Sequence, residues 1–331
     1  MLSDPYAGLE LSTQILIREA LNRGIEAEVL DREDQFIRLK KDGRIEYVKQ
    51  ATRTSADTYI SPLIMENKEV TKLILREHGI RVPEGITVRS LTEAESKAER
   101  FHGEPIVVKP KSTNFGKGVS VLTNGQQTDA DSFANAVQYA LNYDETVMIE
   151  KFLPGREYRF LIIGDETAAV LYRVPANVRG DGVRTIEQLV QQKNKDPLRG
   201  EGYVTPLERI KLGQVERDYL KSQGKHVLSV PEKDEIVYLR ENSNISTGGD
   251  SIDCTDIMPE AYKEIAVRAA KAVGAVICGA DMIIWDIQAA PGPDNYGIIE
   301  LNFNPALHIH NFPYQGTNRR VETKVLDLLG Y

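Results

Sequence analysis

The 331-residue sequence holds only two cysteines, Cys254 and Cys278, and no CxxC pair, which excludes a disulfide framework and a zinc knuckle. So thiol-poor a chain suits a reducing cytosol. Long apolar runs are missing too: the most apolar stretch, 272–280, has nine residues, two of them glycine, too few to span a bilayer. The opening residues, Met1 to Pro5, contain no basic segment leading into an apolar run, so neither export nor a membrane partner is expected. Basic charge is not in excess. The 41 Lys and Arg against 49 Asp and Glu leave a net charge of −8, the wrong balance for a protein that mainly wraps nucleic acid. A Walker sequence and a GxGxxG fingerprint are both absent, which argues against a P-loop enzyme. Internal repeats and low-complexity tracts are lacking as well.

What is present is ordinary globular composition, 41% hydrophobic and 27% charged with 25 glycines and 15 prolines. Such a chain has the apolar mass for a core in two or three units of the usual ~100 to 200 residues. Apolar spacing predicts a helix over 11–23, stopped by Gly24, and a strand over 25–30. The polar stretch 51–57 reads as a linker, and a second helix is expected over 67–78. Strands at 86–88, 106–109, 119–122 and 147–150 surround a helix near 131–142. Beyond the Pro154-Gly155 turn come strands at 158–163 and 168–174, an insertion with helical stretches over 187–223, a long helix over 259–273, and strands at 281–285 and 296–302. The fold class is therefore α+β, in three units: 1–62, 63–155 and 156–331.

The strongest chemical signal is the last strand pair. With Trp285 opposite Tyr296, Asp281 falls opposite Glu300, and Glu300 and Asn302 share a strand face. Two carboxylates and an amide oxygen suit hard Mg²⁺ with sites left for phosphate, and suit zinc poorly. Separately, each of these residues reads equally as a solvated hairpin end. Lys109 closes an apolar run and precedes the glycine-bearing loop 112–119, whose backbone could approach an anion closely. Alone, that loop is also what a plain hairpin looks like. At 147–157 a strand runs into Pro154 and Gly155, leaving main-chain groups that an adenine edge could use, with Glu157 placed for ribose hydroxyls. The same segment would serve as a solvated linker. His308 and His310, two apart, read more as a strand surface feature than as substrate contacts, and neither need be a metal ligand; the two cysteines read as small buried residues.

Taken in order, these residues resemble the ATP-grasp ligases over about 61–331. The resemblance implies an ATP-grasp fold, two α+β subdomains gripping ATP, here with a short N-terminal α/β unit. It implies that Lys68 and Lys109 hold ATP phosphates, and that Ser112, Gly116 and Gly118 belong to a mobile flap. Glu150, Lys151 and the Leu153 backbone would read adenine, Glu157 the ribose, and Asp281, Glu300 and Asn302 would bind two Mg²⁺, or Mn²⁺ as a substitute. Segments 61–68, 173–182, 244–249 and 300–305 are similar to the glutathione synthetase half of bifunctional glutamate-cysteine ligase/glutathione synthetases. Cyanophycin synthetases share related segments. The implied activity joins γ-glutamylcysteine to glycine through an acylphosphate in the cytoplasm, with small-molecule acid and amino-acid substrates, a separate glutamate-cysteine ligase as supplier, and a homodimer as a common state of relatives. Asn244, Ser246, Thr247, Gly248, Asn304 and His310 would line the peptide pocket. The arginine that many such ligases carry two residues before the first metal aspartate is Gly279 here. Arg173 and Arg179 are the expected replacements, because an arginine fork matches carboxylate and phosphoryl oxygens. A nucleotide-binding regulatory module without turnover is the remaining alternative.

Overall fold

The computed structural model describes residues 5–101, 103–113, 117–123 and 129–331. Helix α1 (Leu11–Asn22) leads into a three-stranded antiparallel sheet of β1 (Glu26–Asp31), β2 (Phe36–Lys41) and β3 (Arg44–Lys49). The β2–β3 hairpin, absent from the sequence reading, turns at Asp42 and Gly43, both at positive φ (50° and 80°), as the tight hairpin turn requires. Nor is 51–57 a free linker: Ala51 and Thr52 are buried, and the Asp57 carboxylate accepts from Val276 N–H at 2.6 Å.

Helices α2 (Ile60–Glu66) and α3 (Lys68–Glu77) follow, with Asn67 capping α3 by accepting from Val70 N–H. Next come β4 (Gly85–Val88), α4 (Leu91–Lys97), β5 (Ile106–Pro110), β6 (Ser120–Leu122), α5 (Ala130–Leu141) and β7 (Val147–Lys151). These strands form an antiparallel sheet in the order β4-β7-β5-β6, with Phe133 and Val137 of α5 in the core beneath it.

The larger sheet is built from β8 (Arg156–Ile163) and β9 (Glu166–Val174), and later strands join it. Between them lies an excursion of β10 (Asn177–Arg179), α6 (Ile186–Lys193), β11 (Arg199–Gly200), β12 (Leu207–Glu208), α7 (Gln214–Ser222) and β13 (Ile236–Tyr238), with a small core of its own. The chain returns through β14 (Asp250–Asp253), α8 (Glu260–Ala272), β15 (Ile277–Ile284) and β16 (Tyr296–Asn302), ending in α9 (His308–Asn311) and α10 (Val321–Leu328). The five strands run antiparallel in the order β14-β9-β8-β15-β16.

Alternation along β8 decides what each sheet face does. Tyr158, Phe160 and Ile162 join the core under α8, whereas Leu161 and Ile163 join a second core with α1, β2 and α10. Each fully buried Leu or Ile there contributes about 1.5–3 kcal/mol, so the N-terminal unit shares a core with the larger sheet across residue 62. On β15, Cys278, Ala280 and Met282 face α8 and Ile277 faces α1 and α10, which leaves Asp281 on the α1 side. At one end that face is apolar. At the other it carries the polar cluster described next.

Candidate active site

Asp281 sits between two neighbours in register, Arg159 on β8 and Glu300 on β16. The expected Asp281–Glu300 pairing is present, although Tyr296 faces Ile284 instead of Trp285 because β16 bulges at Ile299. The bulge has a packing reason: it lets both Ile298 and Leu301 enter the core under α8 while Glu300 and Asn302 keep the other face. Arg159 forks onto Asp281, its Nε bonding Oδ1 and its Nη2 reaching Oδ2 at 2.8 Å. Arg173 on β9 adds Nη1 to Oδ2 at 3.1 Å and to Glu157 Oε1 at 2.9 Å. Burial works against the Asp281 charge, but the two guanidinium groups outweigh it and hold the carboxyl below its usual range. For Glu157 burial wins, and its pKa goes up.

Across from this face, the smaller sheet supplies lysines. Glu150 on β7 is shared by Lys72, and by Lys109 at 2.8 Å. Burial opposes the Lys109 charge, yet Glu150 more than offsets it and raises the pKa. Lys72 sheds its proton first, pushed down to about 7 by burial and by Lys109. Lys68, at the start of α3, donates to the Thr113 carbonyl at 2.6 Å and stands 3.7 Å from Glu300; burial lowers its pKa.

A cavity of about 400 Å³ lies between the sheets. Its apolar walls include Val107, Val121 and Ile283, and Lys68, Lys109 and Glu300 close its charged end. Leu153 borders it, pressed on Gly297, where a Cβ would come within 2.3 Å of Leu153 Cδ1. The hinge backbone is tied through Lys151 N–H to Glu84 and Phe152 N–H to Pro105, and Leu153 N–H has no partner among the described residues. A second cavity of about 600 Å³ shares Lys68, Arg173, Asn244, Asp281 and Glu300 with the first. The two open on one another at the charged cluster.

Several expected residues hold other positions. Arg179 is two-thirds exposed and pairs with Asp234 at 3.4 Å, outside both cavities. The reason is topological: β10 leaves the large sheet to pair with β13, whereas Arg173 stays within it. Glu150 and Lys151 both border the smaller cavity, the Glu150 carboxylate buried against Lys72 and Lys109 and the Lys151 ammonium reaching outward to Glu104 and Glu84. Ser112 borders the larger cavity, with its N–H on Asp144 at 2.7 Å. Gly118 has φ +75° and presses on Pro110; Gly116 lies outside the described residues. Asn244, Ser246 and Asn304 line the larger cavity. Thr247 and Gly248 stand behind that wall, Thr247 donating to the Asn244 carbonyl and Gly248 packing on Ile210. His308 and His310 are on the short helix α9, not a strand, and both are buried. His308 borders the cavity and bonds Ser12 at 2.8 Å, while neither ring nitrogen of His310 has a partner among the described residues. Burial pushes the two down to about 4 and about 3.

Residues 7–60 match the ATP-grasp-like domain family and residues 66–177 the phosphoribosylglycinamide synthetase, ATP-grasp (A) domain. Over 324 residues the chain is 56% identical to the glutathione biosynthesis bifunctional protein GshAB of Clostridium perfringens, covering 98% of this chain and 41% of that protein. The chain belongs to the ATP-grasp family. GshAB of Enterococcus faecalis is 50% identical over 326 residues, 98% of this ATP-grasp chain and 43% of that protein. A crystal structure of a bifunctional glutathione synthetase from Pasteurella multocida matches with a TM-score of 0.76 at 49% identity, covering 98% of this chain and 44% of that one. The chain thus spans about two fifths of the length of the curated relatives it matches. Among its described residues, no helix is long and apolar enough to cross a membrane.

Sequence reading missed Arg159. A Cβ on Gly279 would lie 3.1 Å from its Cδ and Nη1, so the Arg159 guanidinium fills the space above Gly279 from the neighbouring strand. A signal did exist: one arginine inside the apolar run 158–163 of a central strand must find a carboxylate partner. The donors around Asp281 can also be assessed for a cation. Among the described residues no three His, Cys, Asp or Glu side chains gather as a metal cluster; the third donor is an amide. Asn302 gives its Nδ2 to Asp281 Oδ2, leaving its oxygen available. Asp281 Oδ2 takes three bonds but Oδ1 only one, and the Glu300 side chain is 30% exposed. This all-oxygen set with spare lone pairs fits Mg²⁺.

Proposed function

We propose that this ATP-grasp protein is an ATP-dependent carboxylate–amine ligase that joins γ-glutamylcysteine to glycine, forming glutathione, ADP and phosphate. The single observation that carries the reading is the meeting of two cavities at Asp281, Glu300, Lys68 and Arg173. One cavity has the apolar walls and basic end suited to a nucleoside triphosphate, and the other has room for a peptide. The names of the relatives support the substrates. The γ-glutamylcysteine would come from a glutamate–cysteine ligase lying outside these residues, on the same or another polypeptide.

A free carboxylate is a poor electrophile, so ATP must first phosphorylate it. The Leu153 N–H, without a partner among the described residues, would meet an adenine edge, and Glu157 on the cavity wall would accept from the ribose hydroxyls. Lys68 and Lys109 bind phosphate oxygens and spread the charge of a loose transition state. Asp281, Glu300 and Asn302 would hold Mg²⁺, which neutralises phosphate charge and orients the transferred group. Glycine nitrogen then adds to the acyl carbon and gives up a proton, and the C–O bond to phosphate breaks so that phosphate leaves as the amide forms. Arg159 joins Arg173 in steadying the oxyanion, taking the part expected of Arg179. Two lysines and two arginines do this by fixed position, without reorganising during the step.

The test is direct. Purified protein with ATP, Mg²⁺, γ-glutamylcysteine and glycine should form glutathione and ADP in equal amounts. ADP released only with other acid and amine pairs would move the assignment to another peptide ligase, such as a cyanophycin-synthetase-like one. ATP binding with no ADP under any pair would favour a regulatory module.

A further inference from the structure

One wall of the larger cavity comes from the N-terminal unit and has no part in the phosphate chemistry. Arg53 and Glu10 stand in it. The backbone of Arg53 exchanges hydrogen bonds with Lys49 at 2.9 and 3.0 Å, and the chain between them turns through Gln50 and Ala51 at φ 52° and 65°. Two consecutive non-glycine residues in the left-handed region are costly, and such conformations persist where a position must be met. The Arg53 guanidinium lies 4.9 Å over the Phe303 ring. Among the described residues its Nε is buried without a hydrogen-bond partner, and no carboxylate pairs with it within 4.0 Å. Glu10 and Glu66 also border the cavity without bonding Arg53; burial lowers the Arg53 pKa, and these carboxylates offset that only in part. Gln50 holds Glu10 in place, its Nε2 on Glu10 Oε1 at 3.3 Å.

A cation with unused donors beside fixed carboxylates complements a zwitterion. A γ-glutamyl dipeptide carries two carboxylates, of which only the cysteinyl one is to be activated; the other belongs to a free α-amino-acid head. Glycine fits this wall poorly, because its nitrogen must stay unpaired to attack. Resting on the ligase reading above, we propose that Arg53 and Glu10 are the specificity site for that head, the Arg53 fork taking the α-carboxylate and Glu10 the α-ammonium. Binding the unreactive end there commits the cysteinyl carboxylate to the junction of the cavities.

Steady-state kinetics with γ-glutamylcysteine and with 4-aminobutyrylcysteine, the same chain without its α-carboxylate, test this. In the wild type the KM for the decarboxylated dipeptide is expected to be about ten- to a hundredfold higher, as for loss of one charged hydrogen-bonded pair. Arg53→Met should raise the KM for γ-glutamylcysteine by a similar factor and abolish the discrimination, with the KM values for ATP and glycine within about twofold of wild type. Arg53→Lys, charged but unable to fork, should fall between. Equal KM values for the two dipeptides in the wild type, an arm that needs no variant, would overturn the proposal, as would a rise in the KM for glycine instead. If the wild type forms no peptide product from γ-glutamylcysteine at all, the ligase reading fails, and this one with it.

Discussion

Glu150 and Asp281 are both almost wholly buried carboxylates, 3% and 2% exposed, and each is gripped by two cations. On the smaller sheet the cations are Lys72 and Lys109; on the larger they are Arg159 and Arg173. The difference is chemical. An ammonium is a compact charge that loses its proton when burial is severe, and Lys72, pushed down to about 7, does so near neutrality. A guanidinium keeps its charge and fixes direction through its fork. The lysine grip can adjust its charge, whereas the arginine grip holds an orientation.

The comparison breaks most visibly at Arg159. Arg159→Met should lower kcat by about a hundred- to a thousandfold, as for a lost charge-stabilising donor. Arg159→Lys should recover little of it, because a lysine cannot fork onto Asp281 and also cover Gly279. A lysine variant as active as wild type would mean that charge alone matters there.

The lysine grip makes the next test. Glu150→Gln leaves two buried lysines facing each other and should cost about 3–5 kcal/mol in urea unfolding at pH 7. Lys72→Met should cost far less, under about 1.5 kcal/mol, since the lysine it removes is poorly tolerated as a charge. A pH series sharpens this. Between about 7 and the ordinary 10.5 the unfolded state binds more protons at Lys72 than the folded state does, so stability should rise with pH across that window. Lys72→Met should flatten the rise, and an identical slope in the variant would remove the distinction between the two grips. The smallest effect belongs to Arg179. Its exposed pair with Asp234 predicts that Arg179→Ala leaves kcat unchanged and shifts stability by under about 0.5 kcal/mol.

Much of the candidate site was legible because its signals are local. Lys109 at the end of an apolar strand and Glu300 with Asn302 two apart follow from spacing along one element, whereas Lys68 is signalled only by the resemblance to the ATP-grasp ligases. Arg159 was not legible in that way, since its meaning depends on lying beside Asp281 and over Gly279 from another strand. Arg179 misled because a nearby Gly-Asp-Gly turn looks functional from sequence, while β10 carries it away from the sheet. Arg53 sits in a stretch that reads as polar connection, and its place in the cavity depends on a tight left-handed turn. The β2–β3 hairpin was readable from Asp42-Gly43 between alternating runs, and was overlooked.

Alternation and spacing by themselves pointed to β1, β4 to β9, β15 and β16 and to which side chains on each could share a face, because those follow from the two-residue period of a strand. Only the tertiary structure decided which strands became neighbours and where β16 bulged. Those choices come from packing two cores against opposite sides of one sheet, and they bring arginines from distant strands onto Asp281.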